Sequence, residues 1–185
     1  MRRISTVKDL TLAGGFGALL FAIDAVFTPL QTILNLPGVV GITSTFFWIV
    51  VAVIALLIVR KTGFPTAMLF SYALLSVPLV TWGAPGLHKL LIIMPLAILV
   101  EIIFLLTNYS NIGIAAAIAS GIATGSVLQL YVMTLLGLPG VETYMKFLVP
   151  FTIIGVIEGL IGGFAGIWLY NRKIKNLKVV KQLQE

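Results

Sequence analysis

Apolar residues run through this chain in long stretches, and the polar positions between them fall in short clusters of charge, proline, glycine or asparagine. A helix needs roughly 20 residues to cross a bilayer. Runs bounded by such clusters predict helices over 10–31, 44–60, 64–83, 89–107, 112–136 and 147–171, followed by a basic tail over 172–185. The fold class expected is all-α: an integral membrane bundle of six transmembrane helices, forming one domain of 185 residues with no separate soluble part.

Charge orients the bundle. If the amino terminus lies inside, ten of the 12 cations fall on inner segments: Arg2, Arg3, Lys8, Arg60, Lys61, Arg172, Lys173, Lys175, Lys178 and Lys181. Only Lys89 and Lys146 fall on outer ones. Cytoplasmic loops carry such an excess, and an odd number of spans would put the cations of the tail outside. Six spans with both termini cytoplasmic is therefore the expectation, in the plasma membrane of a prokaryote. The opening MRRISTVKDL resembles the basic start of a signal peptide or a twin-arginine export signal. The run after it is long enough to span, carries Asp24 and lacks a clear small-x-small cleavage site, so it is read as the first span. The tail NRKIKNLKVVKQLQE reads as a helix lying along anionic headgroups, with docking of a partner as the alternative.

Composition acts mainly by exclusion. Hydrophobic residues make up 59% of the chain and charged ones 10%, against about 25% charged in a soluble domain. The net charge of +6 sits at helix ends and does not suggest nucleic acid. With no cysteine and a single histidine, His88, neither a thiolate site nor a multi-histidine metal site is available. No G-x-x-x-x-G-K-[ST] loop, G-x-S-x-G elbow or H-E-x-x-H pair occurs, so no bound nucleotide, cofactor or enzymatic chemistry is expected. Paired Gly/Pro-broken spans of an inverted-repeat transporter and a channel filter are equally illegible.

Small residues recur at four-residue spacing: Gly14, Ala18 and Ala22 in the first span, Gly113, Ala117, Gly121 and Gly125 in the fifth, Gly155, Gly159 and Gly163 in the sixth. Such stripes let helices approach closely in lipid, and tight internal packing is the plainer reading for the last two spans. In the first, a step of about 100° per residue sets Asp24 opposite Ala22. Its polar face, Asp24, Thr28 and Gln31, is expected to look into the bundle, because an intramembrane carboxylate avoids lipid. The Gly14, Ala18, Ala22 face then looks outward, toward a partner protein or another helix of the chain.

Asp24, Glu101 and Glu158 are the acids within predicted spans, and each is a functional candidate by default. Asp24 lies in the outer half, as do Gln129 and Tyr131; Trp48, Trp82, His88 and Lys89 add polar and aromatic surface near the outer mouth. Together they suggest a pocket that stacks a flat ligand on Trp and fixes it with Asp24 and Gln129, the carboxylate favouring a cation. The bland alternative makes Trp48 and Trp82 interfacial belt residues, His88 a solvated loop residue, and Glu101 and Glu158 internally satisfied acids. Long outer connections, QTILNLPGVVGITST and GLPGVETYMK, are expected to form a lid carrying Asn35, Thr43, Ser44, Glu142 and Tyr144, or else plain connectors.

In size, span count, termini inside, long outer loops and the small-residue motif Ala18-Leu19-Leu20-Phe21-Ala22, the whole chain resembles the substrate-capturing S components of energy-coupling factor (ECF) vitamin transporters. That resemblance implies a small-molecule substrate, a transmembrane coupling protein docked on the motif, and two cytoplasmic ATPases. It also implies a component that topples in the membrane to release its ligand. The segment FFWIVVAVIALLIVRKTGFPTAML, then Trp82-Gly83-Ala84-Pro85 and Glu101, is most similar to the subgroup handling thiamin or its hydroxymethylpyrimidine precursor. The substrate contacts expected are Asp24, Thr28, Trp48, Trp82, Gln129, Tyr131, His88 and Glu101. The competing reading is a self-sufficient secondary transporter in which Asp24, Glu101 and Glu158 carry protons.

Overall fold

The computed structural model describes residues 4, 6–34, 37–79, 86–107, 111, 114–116, 118, 119, 134 and 141–184. Within them the secondary structure is helical apart from an isolated bridge at Thr62. Helices α1 (Val7–Leu34), α2 (Pro37–Val59), α3 (Phe64–Ser76), α4 (His88–Leu106) and α5 (Val141–Leu169) are followed by a π turn, Tyr170–Ile174, and a short α6, Lys178–Gln184. Among the described residues, three segments are long and apolar enough to cross a membrane: Val7–Leu30, His88–Leu106 and Met145–Ile174. Shorter apolar helices cover Thr43–Val59 and Phe64–Ser76. Most of the predicted 112–136 span lies outside the described residues, although 114–116, 118, 119 and 134 are helical.

Contacts between side chains set the helix directions. Phe27 stacks on Phe47 at 5.9 Å, and Asp9 pairs with Lys61 at 2.7 Å, so α1 and α2 are antiparallel. Phe16 meets Phe64 at 6.3 Å, and farther along Asp24 meets Tyr72, so α1 and α3 run the same way. Glu101 reaches Gly63 while Lys89 reaches Ser76, which makes α4 antiparallel to α3. Gly162 lies against Phe46 and Ile49, and Gly166 against Val50 and Val53, so α5 is parallel to α2. One end of the bundle, here the basal end, thus carries the start of α1, the α2–α3 turn and the ends of α4 and α5; Lys8 Nζ donates there to the Gln182 carbonyl of α6 at 3.4 Å.

Local chemistry explains most boundaries. At the start of α1, Thr6 Oγ1 accepts the Asp9 amide at 3.2 Å, the geometry of an N-cap. Helix α2 stops at Arg60, whose φ of 41° is the left-handed conformation that closes helices. Helix α3 opens after Gly63, φ 89°, with Pro65 in its first turn and closes ahead of Pro78, whose ring would strike the carbonyl a turn back. The core runs through Ala13 and Leu20 of α1, Val53 and Leu56 of α2, Phe64, Met68 and Tyr72 of α3, and Ile93 and Ala97 of α4.

Four expectations are corrected. The connection between the first two spans is short, not a lid: α1 runs to Leu34 and α2 begins at Pro37, so Thr43 and Ser44 belong to a helix. Pro37 is a helix starter here, since proline at the first helical position loses no hydrogen bond, and glycine is common in membrane helices. Likewise α5 begins at Val141, so Glu142 and Tyr144 are helical; Asn35 lies outside the described residues. The third helix ends at Ser76, short of the expected 83. Finally, the tail turns back: α6 packs against α2 and buries Val180 in the core.

Candidate functional site

Position 24 places a carboxylate on the side of α1 that also buries Leu20, one turn earlier. Taking a carboxylate out of water costs several kcal/mol unless hydrogen bonds replace the lost hydration, and two neighbouring helices supply them. Ser44 Oγ of α2 donates to Asp24 Oδ1 at 3.2 Å, and the Tyr72 hydroxyl of α3 donates to Oδ2. Asp24, Ser44 and Tyr72 are all buried. Trp48, one turn beyond Ser44 on α2, sets its ring edge-on to Tyr72, with centroids 5.8 Å apart and planes at 78°. Its indole Nε1 is buried and has no hydrogen-bond partner among the described residues. Thr28, one turn beyond Asp24 on the same face, is half-buried.

The remaining candidates are elsewhere. Glu101 sits at the basal end, where Oε1 accepts the Gly63 amide at 2.7 Å and Oε2 accepts the Thr66 amide at 3.4 Å and its hydroxyl at 3.2 Å. That is a carboxylate on the positive end of α3, satisfying amides that lack a partner in the helix. Lys89, read from sequence as part of the outer mouth, is buried; its ammonium donates to the carbonyls of Ser76, at 2.8 Å, and Leu79 where α3 ends. His88 opens α4, half-buried, beside that contact. Trp82, Gln129 and Tyr131 lie outside the described residues. Glu158 is buried on α5, and its Oε2 has no hydrogen-bond partner among the described residues.

Sequence reasoning missed Tyr72 and gave Ser44 to a lid. The available signal was weak: Met68, Tyr72 and Ser76 recur at four-residue spacing on one face of α3, a face marked by hydroxyls and not by charge.

The opposite face of α1 is uncovered among the described residues. Ala18 and Ala22 are exposed, and a Cβ added at Gly14 or Gly15 would meet nothing within 4 Å. Gly17, outside the four-residue stripe, makes the close crossing instead: a Cβ there would come within 2.6 Å of the Met68 carbonyl.

Chemically, a carboxylate held by two hydroxyls beside two aromatic rings can bind and orient a polar or cationic group. Among the described residues no group of three or more His, Cys, Asp or Glu could hold a metal ion. No curated protein and no solved structure matches the chain. The family described as "ABC-type cobalt transport system, permease component" matches residues 8–127, which span α1 to α4 and the Asp24 cluster. This supports the transporter resemblance without extending to its thiamin subgroup. With most of its length matched, the chain belongs to that family: it is a membrane component of an ABC-type transport system, and not an enzyme.

Proposed function

We propose that the chain is the substrate-capture subunit of an ATP-driven importer of the energy-coupling factor type, and that it binds a flat organic cation at Asp24. The observation that carries this reading is the convergence of Asp24, Ser44, Tyr72 and Trp48 from three helices in the interior of the bundle. Aromatic faces and a carboxylate together suit an organic cation. The matched family's description names cobalt, a borderline ion that takes clustered nitrogen, sulfur and oxygen donors. A chain with one histidine and no cysteine is poorly furnished for it.

Six spans with both ends cytoplasmic remain part of this proposal. Helices α4 and α5 both run toward the basal end, so the chain between Leu106 and Val141 has to return across the bundle, and the predicted 112–136 span supplies that crossing. The Gly14, Ala18, Ala22 face, exposed at both alanines, is the proposed seat of a transmembrane coupling protein, itself driven by two ATPases. A proton-coupled alternative rests on Glu158, buried with one oxygen unpartnered among the described residues, and it predicts uptake without any ATPase partner.

The test is calorimetry on the isolated chain in detergent, titrated with thiamin as a flat organic cation and separately with Co²⁺. Thiamin should bind, and Asp24→Asn should weaken it by about 10- to 100-fold, the worth of roughly 1.5–3 kcal/mol for a hydrogen bond to a charged group. Binding of Co²⁺ alone, or thiamin affinity indifferent to Asp24→Asn, overturns the reading.

A further inference from the structure

Trp48 is a half-buried residue of α2. Its ring packs on Tyr72, which donates to Asp24, so the indole belongs to the same cluster as the carboxylate. Its Nε1–H is shielded from solvent and has no acceptor among the described residues. Indole nitrogen can only donate, and buried donors in folded proteins are nearly always paired. The other groups of the cluster do not compete for this role, because the Ser44 and Tyr72 hydroxyls are both turned to Asp24.

Resting on the proposed capture of a flat cation at Asp24, we infer that Trp48 Nε1 is the specificity-determining donor of the site, reading a bare acceptor on the ligand. The ligand class is thereby narrowed. A cationic ring alone satisfies the carboxylate and the aromatic faces. The indole N–H adds a demand for a second feature, an unprotonated ring nitrogen or a carbonyl oxygen on the edge turned to α2. Heteroaromatic cations bearing such an atom fit both demands; simple quaternary amines fit only the first.

The chain has three tryptophans, Trp48, Trp82 and Trp168, so ¹⁵N-indole spectra in detergent are sparse enough to assign with Trp48→Phe. Thiamin, a heteroaromatic cation with bare pyrimidine nitrogens, serves as the probe, and calorimetry reports binding in parallel. The expected result is a downfield shift of the Trp48 indole proton on saturation. Replacing the indole N–H of Trp48 by sulfur, as 3-benzothienylalanine, keeps the ring shape and should weaken thiamin about tenfold, the scale of one neutral hydrogen bond. Choline, a cation without a bare acceptor, should show no such loss between the two proteins. Thiamin binding with an unmoved Trp48 resonance and unchanged affinity for the sulfur variant overturns the inference while leaving the Asp24 site standing. Failure of thiamin to bind at all overturns both.

Discussion

Asp24 and Glu101 show how the same side-chain chemistry takes different work from its surroundings. Asp24 is held by two hydroxyls and lies beside two aromatic rings, whereas Glu101 faces backbone amides at a helix start. Glu101→Ala should therefore lower stability in detergent by about 1–2 kcal/mol, the usual cost of losing a helix cap, with thiamin affinity unchanged. A thermal melt beside a binding titration checks this. Weaker binding at unaltered stability would return Glu101 to the ligand site, where the sequence placed it. Asp24 was legible because an acid in an apolar run stands out against everything around it. Its partners were not: Ser44 and Tyr72 are small departures from an apolar pattern, and their role depends on which helices meet. The contacts of Lys89 and Glu101 were illegible for a related reason, since helix-end carbonyls and amides are invisible in a string of side chains.

Helix α1 divides its circumference between interior and surface. Leu20 and Asp24 point inward, Ala18 and Ala22 outward, and the 100° step of the helix was enough to separate those faces from sequence alone. Which glycine makes the close contact was not legible, because Gly14, Gly15 and Gly17 differ only in what lies opposite. Gly17→Val should destabilise the bundle by about 1–3 kcal/mol or more through overpacking against Met68, Ser71 and Tyr72. Gly14→Ala meets open space and should stay within about 0.5 kcal/mol; equal melts for the two variants would contradict this packing. On the outward face, Ala18→Trp with Ala22→Trp should abolish transport by the assembled importer and leave thiamin affinity as it was. Normal transport would remove the coupling protein from that surface. The two lid-like connections misled because proline and glycine were read as breaks, while Pro37 begins a helix and Gly38 and Gly41 continue it.

Among its described residues the molecule has a charged end and an exposed apolar flank. Lys8, Arg60, Arg172, Lys173, Lys175, Lys178 and Lys181 are exposed at the basal end, and Arg172 lies over the Trp168 ring at 5.3 Å. Large apolar side chains such as Ile157, Ile161 and Phe164 are exposed along α5, as a helix facing lipid requires. Cations at one end suit the cytoplasmic side. Because the chain has no cysteine, single replacements report sidedness cleanly: Lys8→Cys and Lys181→Cys should react with an impermeant maleimide only in opened cells, and Leu87→Cys in intact ones. Reaction of Lys8→Cys and Lys181→Cys from opposite sides would contradict an even number of spans. The all-helical class was legible from the long apolar runs, but the folded-back tail was not, since Val180 looks like any other apolar residue of a basic helix. What the bundle carries is reached most directly by native mass spectrometry of the protein purified from its own membranes. The expected result is an organic cation retained on the wild-type chain and lost from Asp24→Asn; a cobalt adduct, or one small molecule retained equally by both proteins, would contradict capture at Asp24.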